Sequence, residues 1–198
     1  MTIDFESWKY PITDTVMRYA CAFDLNYHKS DNEIISVFKK TTTDKSINER
    51  IHLINASYHT RVPVDDMTEN IIEHKNLDEI IRNGDSEAVE KIACCGDKHY
   101  FVFATKYCCF SNMKKYPIYD SLSAKVLQWF NDRDGFADKV DFTKIKGNRG
   151  YEEYRKAVDN YIKKYKLELE DYKMLDKFLW LVGKNMPDRP SYVSKATT

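Results

Sequence analysis

Residues 101–127, FVFATKYCCFSNMKKYPIYDSLSAKVL, decide how the rest of the chain is read. Phe101 to Ala104 carry no charge, and beyond Lys106 the apolar run resumes through Tyr107, Cys108, Cys109 and Phe110. Such density predicts an element buried on most sides, and its length allows a helix or a buried strand. Ser111 to Lys115 is a polar break. Pro117 fixes its own φ and pushes Tyr116 towards extended geometry, so a new element can begin only after it. Asp120 and Ser121 then stand where an N-cap belongs, ahead of Leu122, Val126, Leu127, Trp129 and Phe130 at helical spacing. These signals give a helix, a tight connection and a second helix opened by Asp120.

Asp120 admits two roles. As a cap, its carboxylate accepts backbone N–H bonds and gains from the helix dipole. Held at a helix mouth among aromatics, the same carboxylate can stabilise a developing cation or activate water. The residues alone leave both open.

Upstream, Ile47, Ile51, Leu53 and Ile54 predict a core helix from Ser46 to about Ala56, ending in Ser57-Tyr58-His59-Thr60-Arg61 before Val62-Pro63. Asp65 or Asp66 starts a helix through Met67, Ile71 and Ile72, and Asn76 caps another that stops at Asn83-Gly84. Ser86 opens a further helix, ended by Cys95-Gly96-Asp97. Earlier still, Thr13 or Asp14 caps a helix through Val16 to Phe23, and Asp31 opens one carrying Ile34, Ile35, Val37 and Phe38. Downstream, 136–149 is expected as loop. Tyr151, Tyr154, Val158, Tyr161 and Tyr165 step by threes and fours along an amphipathic helix, where the tyrosines are read as packing. A last helix from Leu169 is expected to stop at Gly183, followed by a loose tail from Met186. Short helices with short links make an all-α bundle, with no alternating pattern long enough for a sheet.

At 198 residues, with 42% hydrophobic and 31% charged, the chain reads as globular and large enough for a sizeable core. No run approaches the roughly 20 apolar residues of a membrane span, and the acidic start has no signal-peptide core, which gives a cytoplasmic expectation without a membrane partner. Four of the five cysteines fall in two adjacent pairs (Cys94-Cys95, Cys108-Cys109), a poor disulfide framework, so reduced thiols are expected. Spacing for an iron–sulfur or zinc site is missing, and no metal or cofactor is expected. The zero net charge hides an asymmetry: residues 1–97 hold 11 Lys and Arg against 18 Asp and Glu, and residues 98–198 hold 20 against 13. A basic half is what a phosphate-binding surface needs.

The same segments resemble the helix-hairpin-helix DNA glycosylase superfamily, especially its short 8-oxoguanine DNA glycosylase-like branch. In that pattern a small residue of the second hairpin helix precedes the catalytic aspartate by sixteen positions, as Ala104 precedes Asp120 here. Residues 51–60, IHLINASYHT, are similar to the family's apolar helix ending in a loop that faces DNA. The likeness covers roughly residues 46–130. Two departures stand out. The Gly-apolar-Gly hairpin is replaced by Lys98, His99 and Tyr100, and the position of a Schiff-base lysine is held by Val102.

The resemblance implies a two-lobed helical bundle with a degenerate helix-hairpin-helix: residues 46–130 as one lobe, residues 1–45 and 131–198 as the other, and a base pocket between them. It implies a monofunctional DNA glycosylase, acting as a monomer on double-stranded DNA with a flipped nucleotide. Asp120 is then the catalytic carboxylate. Tyr58, His59 and Arg61 handle the gap left by the base, and Lys98, Lys114 and Lys115 meet phosphates. The other expectations are a non-enzymatic helical module binding nucleic acid or protein, and a regulatory helical protein without nucleic acid.

Overall fold

The computed structural model describes residues 16, 18, 19, 31–138, 140–145 and 147–185. The expected helix through Val16 to Phe23 lies largely outside them, and the tail from Met186 wholly so. The described residues are mainly helical: α1 (31–38), α2 (Asp44–Tyr58), α3 (Val64–Glu73), α4 (Leu77–Asn83), α5 (Glu87–Ala93), α6 (Phe101–Ser111), α7 (Ser121–Asp134), α8 (Gly147–Lys164) and α9 (Tyr172–Asn185). Between α5 and α6 lies an antiparallel ribbon of two residues per strand, β1 (Cys94–Cys95) and β2 (Lys98–His99).

α6 is the centre, as its composition demands. Phe101 and every residue from Phe103 to Phe110 are buried, Lys106 included. α5, α2 and α4 all pack against it. One cluster of buried apolar side chains runs from Val16 to Val182 and takes in most of the helices.

The extended segment 116–119 that delivers Asp120 is held from several sides. Tyr116 donates its hydroxyl to Asp85 O at 2.8 Å. Tyr151 donates to Pro117 O at 3.0 Å and Tyr154 to Ile118 O at 2.7 Å. Tyr119 N donates to Thr105 Oγ1 at 3.2 Å, which ties the segment to α6. The α8 tyrosines therefore do more than pack. Burial pushes the phenols of Tyr151 and Tyr154 well above their usual pKa, so they remain donors.

Several boundaries differ from the sequence reading, each for a local reason. α2 starts at Asp44 because Thr43 and Ser46 form a reciprocal capping box, Ser46 N to Thr43 Oγ1 and Thr43 N to Ser46 Oγ. Within 136–149, Phe136 and Phe142 are buried, Phe142–Lys144 forms a 3-10 turn, and α8 already begins at Gly147. α9 starts at Tyr172, with Asp171 Oδ1 accepting from Met174 N at 3.0 Å. Nor does Gly183 end that helix, which continues to Asn185. The glycine is there for closeness: a Cβ on it would stand 2.8 Å from Leu122 Cβ and 2.9 Å from Leu122 O. α9 thus lies directly on the first turn of α7, beside Asp120.

Candidate functional site

Five elements converge on a cavity of about 470 Å³, inside the roughly 300–1,000 Å³ range of ligand pockets. α6 brings Val102 and Lys106, four apart and so on one face. α9 brings Asp176 and Trp180 by the same spacing. The first turn of α7 supplies Asp120, Ser121 and Leu122, the end of α2 supplies Ser57, Tyr58 and His59, and Asp31 comes from α1. The cavity is therefore lined both by residues of the 46–130 segment and by chain on either side of it.

Asp120 divides its two oxygens between two surroundings. Oδ1 accepts the backbone N–H groups of Leu122 and Ser123, each at 2.9 Å, which caps α7. Oδ2 stands 3.8 Å from Lys106 Nζ. The Lys106 ammonium also lies over the Tyr58 ring, 4.8 Å from its centroid, an attraction that strengthens when the cation is desolvated. The capping bonds leave only Oδ2 for chemistry, and they fix its direction.

Behind this pair sits a second, deeper one. Lys173 Nζ is 2.7 Å from Asp176 Oδ2 and 3.2 Å from Asp31 Oδ2. Tyr58 donates its hydroxyl to Asp31 Oδ1 at 2.5 Å. Burial works against the charge on Lys173, but Asp176 and Asp31 outweigh it and hold its pKa well above the usual lysine value. Asp176 is pulled in opposite directions: burial raises its carboxyl, Lys173 lowers it, and burial prevails. The 2.7 Å contact favours the charged pair, with Asp176 the more easily neutralised member. Asp176 Oδ1 is buried and accepts no hydrogen bond among the described residues. Three carboxylates (Asp31, Asp120, Asp176) against two ammoniums (Lys106, Lys173) leave the fully ionised site one charge negative.

The loop after α2 is bent for a purpose. His59 and Arg61 both take left-handed backbone, with φ of 52° and 56°, a conformation that non-glycine residues hold only when surroundings enforce it. Asn55 enforces it: its Oδ1 accepts from Thr60 Oγ1 at 2.6 Å and Val62 N at 3.1 Å, and its Nδ2 donates to Val62 O at 2.9 Å. The bend leaves His59 on the cavity and turns Arg61 into a neighbouring cleft with Lys98, Gly96 and Tyr100.

Of the residues singled out in the sequence, Asp120, Tyr58 and His59 meet in the cavity, and Arg61 and Lys98 meet in the cleft beside it. Lys114 and Lys115 join neither. They follow the far end of α6, where the stem of Lys115 packs on Gly84. Lys106, Asp31, Lys173, Asp176 and Trp180 were missed. Lys106 had a signal, the lone charge inside an apolar run. Lys173, Asp176 and Trp180 share a stripe beside the apolar face of α9 that only the tertiary structure shows to be covered.

A family model described as HI_0787_N, N-terminal domain, matches residues 14–115. The chain belongs to this family. A Haemophilus influenzae protein described as uncharacterized is 31% identical over 143 residues, which cover 70% of this chain and 66% of that protein. The chain thus spans just under two thirds of its relative's length. No solved structure matches. The family match takes in Asp31, Tyr58, His59 and Lys106, and Asp120 and Asp176 lie beyond its end. Among the described residues no helix is long and apolar enough to cross a membrane.

Proposed function

We propose that the chain is a monofunctional DNA N-glycosylase, a hydrolase that cuts the bond between a damaged or modified base and its sugar. The observation that carries this is Asp120 Oδ2, fixed by the capping bonds of its sister oxygen and placed in a cavity that Asp31 and Asp176 also line. As the base leaves with the bonding electrons, C1′ becomes cationic. A preorganised carboxylate stabilises that charge and holds the attacking water, whose proton it can accept. The sugar carbon is out of reach inside a duplex, so the nucleotide must be flipped into the cavity. Tyr119 and Trp180 offer aromatic surface for it there. The working partner is double-stranded DNA, met by a monomer.

Phosphate contact falls to the cleft of Arg61 and Lys98. Replacing both by Ala is expected to weaken DNA binding and to reduce the slope of log K against log[salt] by about 2, near 0.9 per phosphate contact. Replacing Lys114 and Lys115 by Ala is expected to leave the slope unchanged. Binding titrations at four or five salt concentrations decide between the two pairs.

The activity itself is tested with duplexes carrying a panel of oxidised, alkylated, deaminated and enzymatically modified bases. Abasic sites, revealed by alkali, are expected on at least one of them. Strand scission and borohydride trapping are not expected. Val102 has no amine, and the Lys106 ammonium is engaged with Asp120 and the Tyr58 ring. A panel with no abasic product would remove the reading, and a trapped covalent adduct would contradict its monofunctional part and point to Lys106.

A further inference from the structure

The hairpin between α5 and α6 carries a group of side chains that the cavity does not use. Cys94 and His99 are direct cross-strand partners of the β1–β2 ribbon, so their side chains leave the same face. Glu90 precedes Cys94 by four residues on the last turn of α5, which places it over the same spot. Cys94 Sγ lies 3.3 Å from Glu90 Oε1, and His99 Nε2 lies 3.1 Å from Glu90 Oε2. One sulfur, one imidazole nitrogen and one carboxylate oxygen fall within 4.8 Å of one another.

We infer that Glu90, Cys94 and His99 form a binding site for a zinc-class divalent cation. Donor chemistry selects the ion. A thiolate and an imidazole suit zinc or cobalt and are poor ligands for magnesium or calcium, which take oxygen. Separation fits as well: donors on a tetrahedral zinc, at roughly 2.0–2.3 Å from the metal, stand about 3.2–3.7 Å apart. The Cys94–Glu90 contact, at 3.3 Å, is at that spacing, and the His99–Glu90 contact, at 3.1 Å and to the other carboxylate oxygen, is just inside it. Three protein donors leave the fourth position to water or an anion, since all three side chains are reachable from solvent.

No four-cysteine pattern announces this site, because its ligands are set by the ribbon register rather than by a regular spacing. Its place in the fold gives it a consequence. Side chains alternate across the ribbon, so Cys94 and His99 occupy one face while their neighbours Cys95 and Lys98 occupy the other. A metal bridging α5, β1 and β2 clamps the turn that presents Lys98 to the Arg61 cleft.

Cobalt titration of the full-length chain tests the site. One equivalent of Co²⁺ is expected to give a thiolate-to-cobalt charge-transfer band with tetrahedral d–d absorption, both bleached by added Zn²⁺. Cys94→Ser should abolish the charge-transfer band, and His99→Ala or Glu90→Gln should weaken binding by at least about tenfold. Cys95, Cys108 and Cys109 are buried and should not substitute. X-ray absorption on the zinc-loaded wild type needs no variant and should count one sulfur near about 2.3 Å. No charge-transfer band, a band that survives in Cys94→Ser, or a sulfur count other than one would overturn the assignment.

Discussion

Lys173→Met is expected to lower the free energy of unfolding by about 3–5 kcal/mol, the usual cost of removing one partner from a buried ion pair. Methionine fills the space of the lysine stem, so the loss is electrostatic rather than a cavity. Asp31 and Asp176, each within 3.2 Å of Lys173 Nζ, would be left buried together without their shared cation. Against a typical domain stability of about 5–15 kcal/mol, that is a large share. The loss carries a pH signature with a definite sign. A carboxyl whose folded pKa lies above its unfolded value binds more protons in the folded state, so stability falls as pH rises through that interval. Asp176 has this character already in the wild type, where burial raises its carboxyl despite Lys173. Without Lys173 the rise is greater, and the deficit of the variant should shrink as pH falls towards the ordinary carboxylate range. Urea unfolding at several pH values measures both effects. A loss under about 1 kcal/mol at neutral pH would show that the cluster is far more hydrated than its geometry implies.

Much of the fold is legible in the chain, because helix signals are local. The apolar run of α6, the Pro117 break and the Asp120 cap all stand where the sequence places them. Gly84 and Gly135 take the left-handed caps that stop α4 and α7. What escaped was tertiary in origin. Gly183 reads as a stop signal from its residue type alone, and its role as a point of close approach to Leu122 exists only once α9 meets α7. The tyrosines of α8 sit at core spacing, and their spacing says nothing of the carbonyls of Pro117 and Ile118 that they serve. In the site, Asp120, Tyr58 and His59 were accessible because they flank helix ends, where polar residues interrupt a pattern. Asp31, Lys173 and Asp176 resemble ordinary surface charges in sequence. They are buried where α9 packs on α7 and Lys173 meets Asp31, and no local signal encodes that meeting.

Asp120→Asn should leave a folded protein that binds lesion-containing duplex and releases base about 10²–10³-fold more slowly, the cost of losing one well-placed electrostatic group. Asparagine ranks close to aspartate as an N-cap, so its side-chain oxygen can keep the bonds from Leu122 and Ser123. What it removes is the charge at Oδ2, the interaction with Lys106 and the capacity to take a proton from water. The stability cost has two parts, about 0.3–1 kcal/mol from the dipole and up to about 3–5 kcal/mol from leaving the buried Lys106 ammonium without its carboxylate. The decisive measurement is single-turnover base release by wild type and Asp120→Asn on the same duplex, with binding and circular dichroism recorded for both. A fall in the rate of base release of two orders of magnitude or more, at wild-type affinity and fold, is the predicted result. A folded Asp120→Asn variant that releases base at the wild-type rate would contradict the account, leaving Asp120 as a helix cap and nothing more.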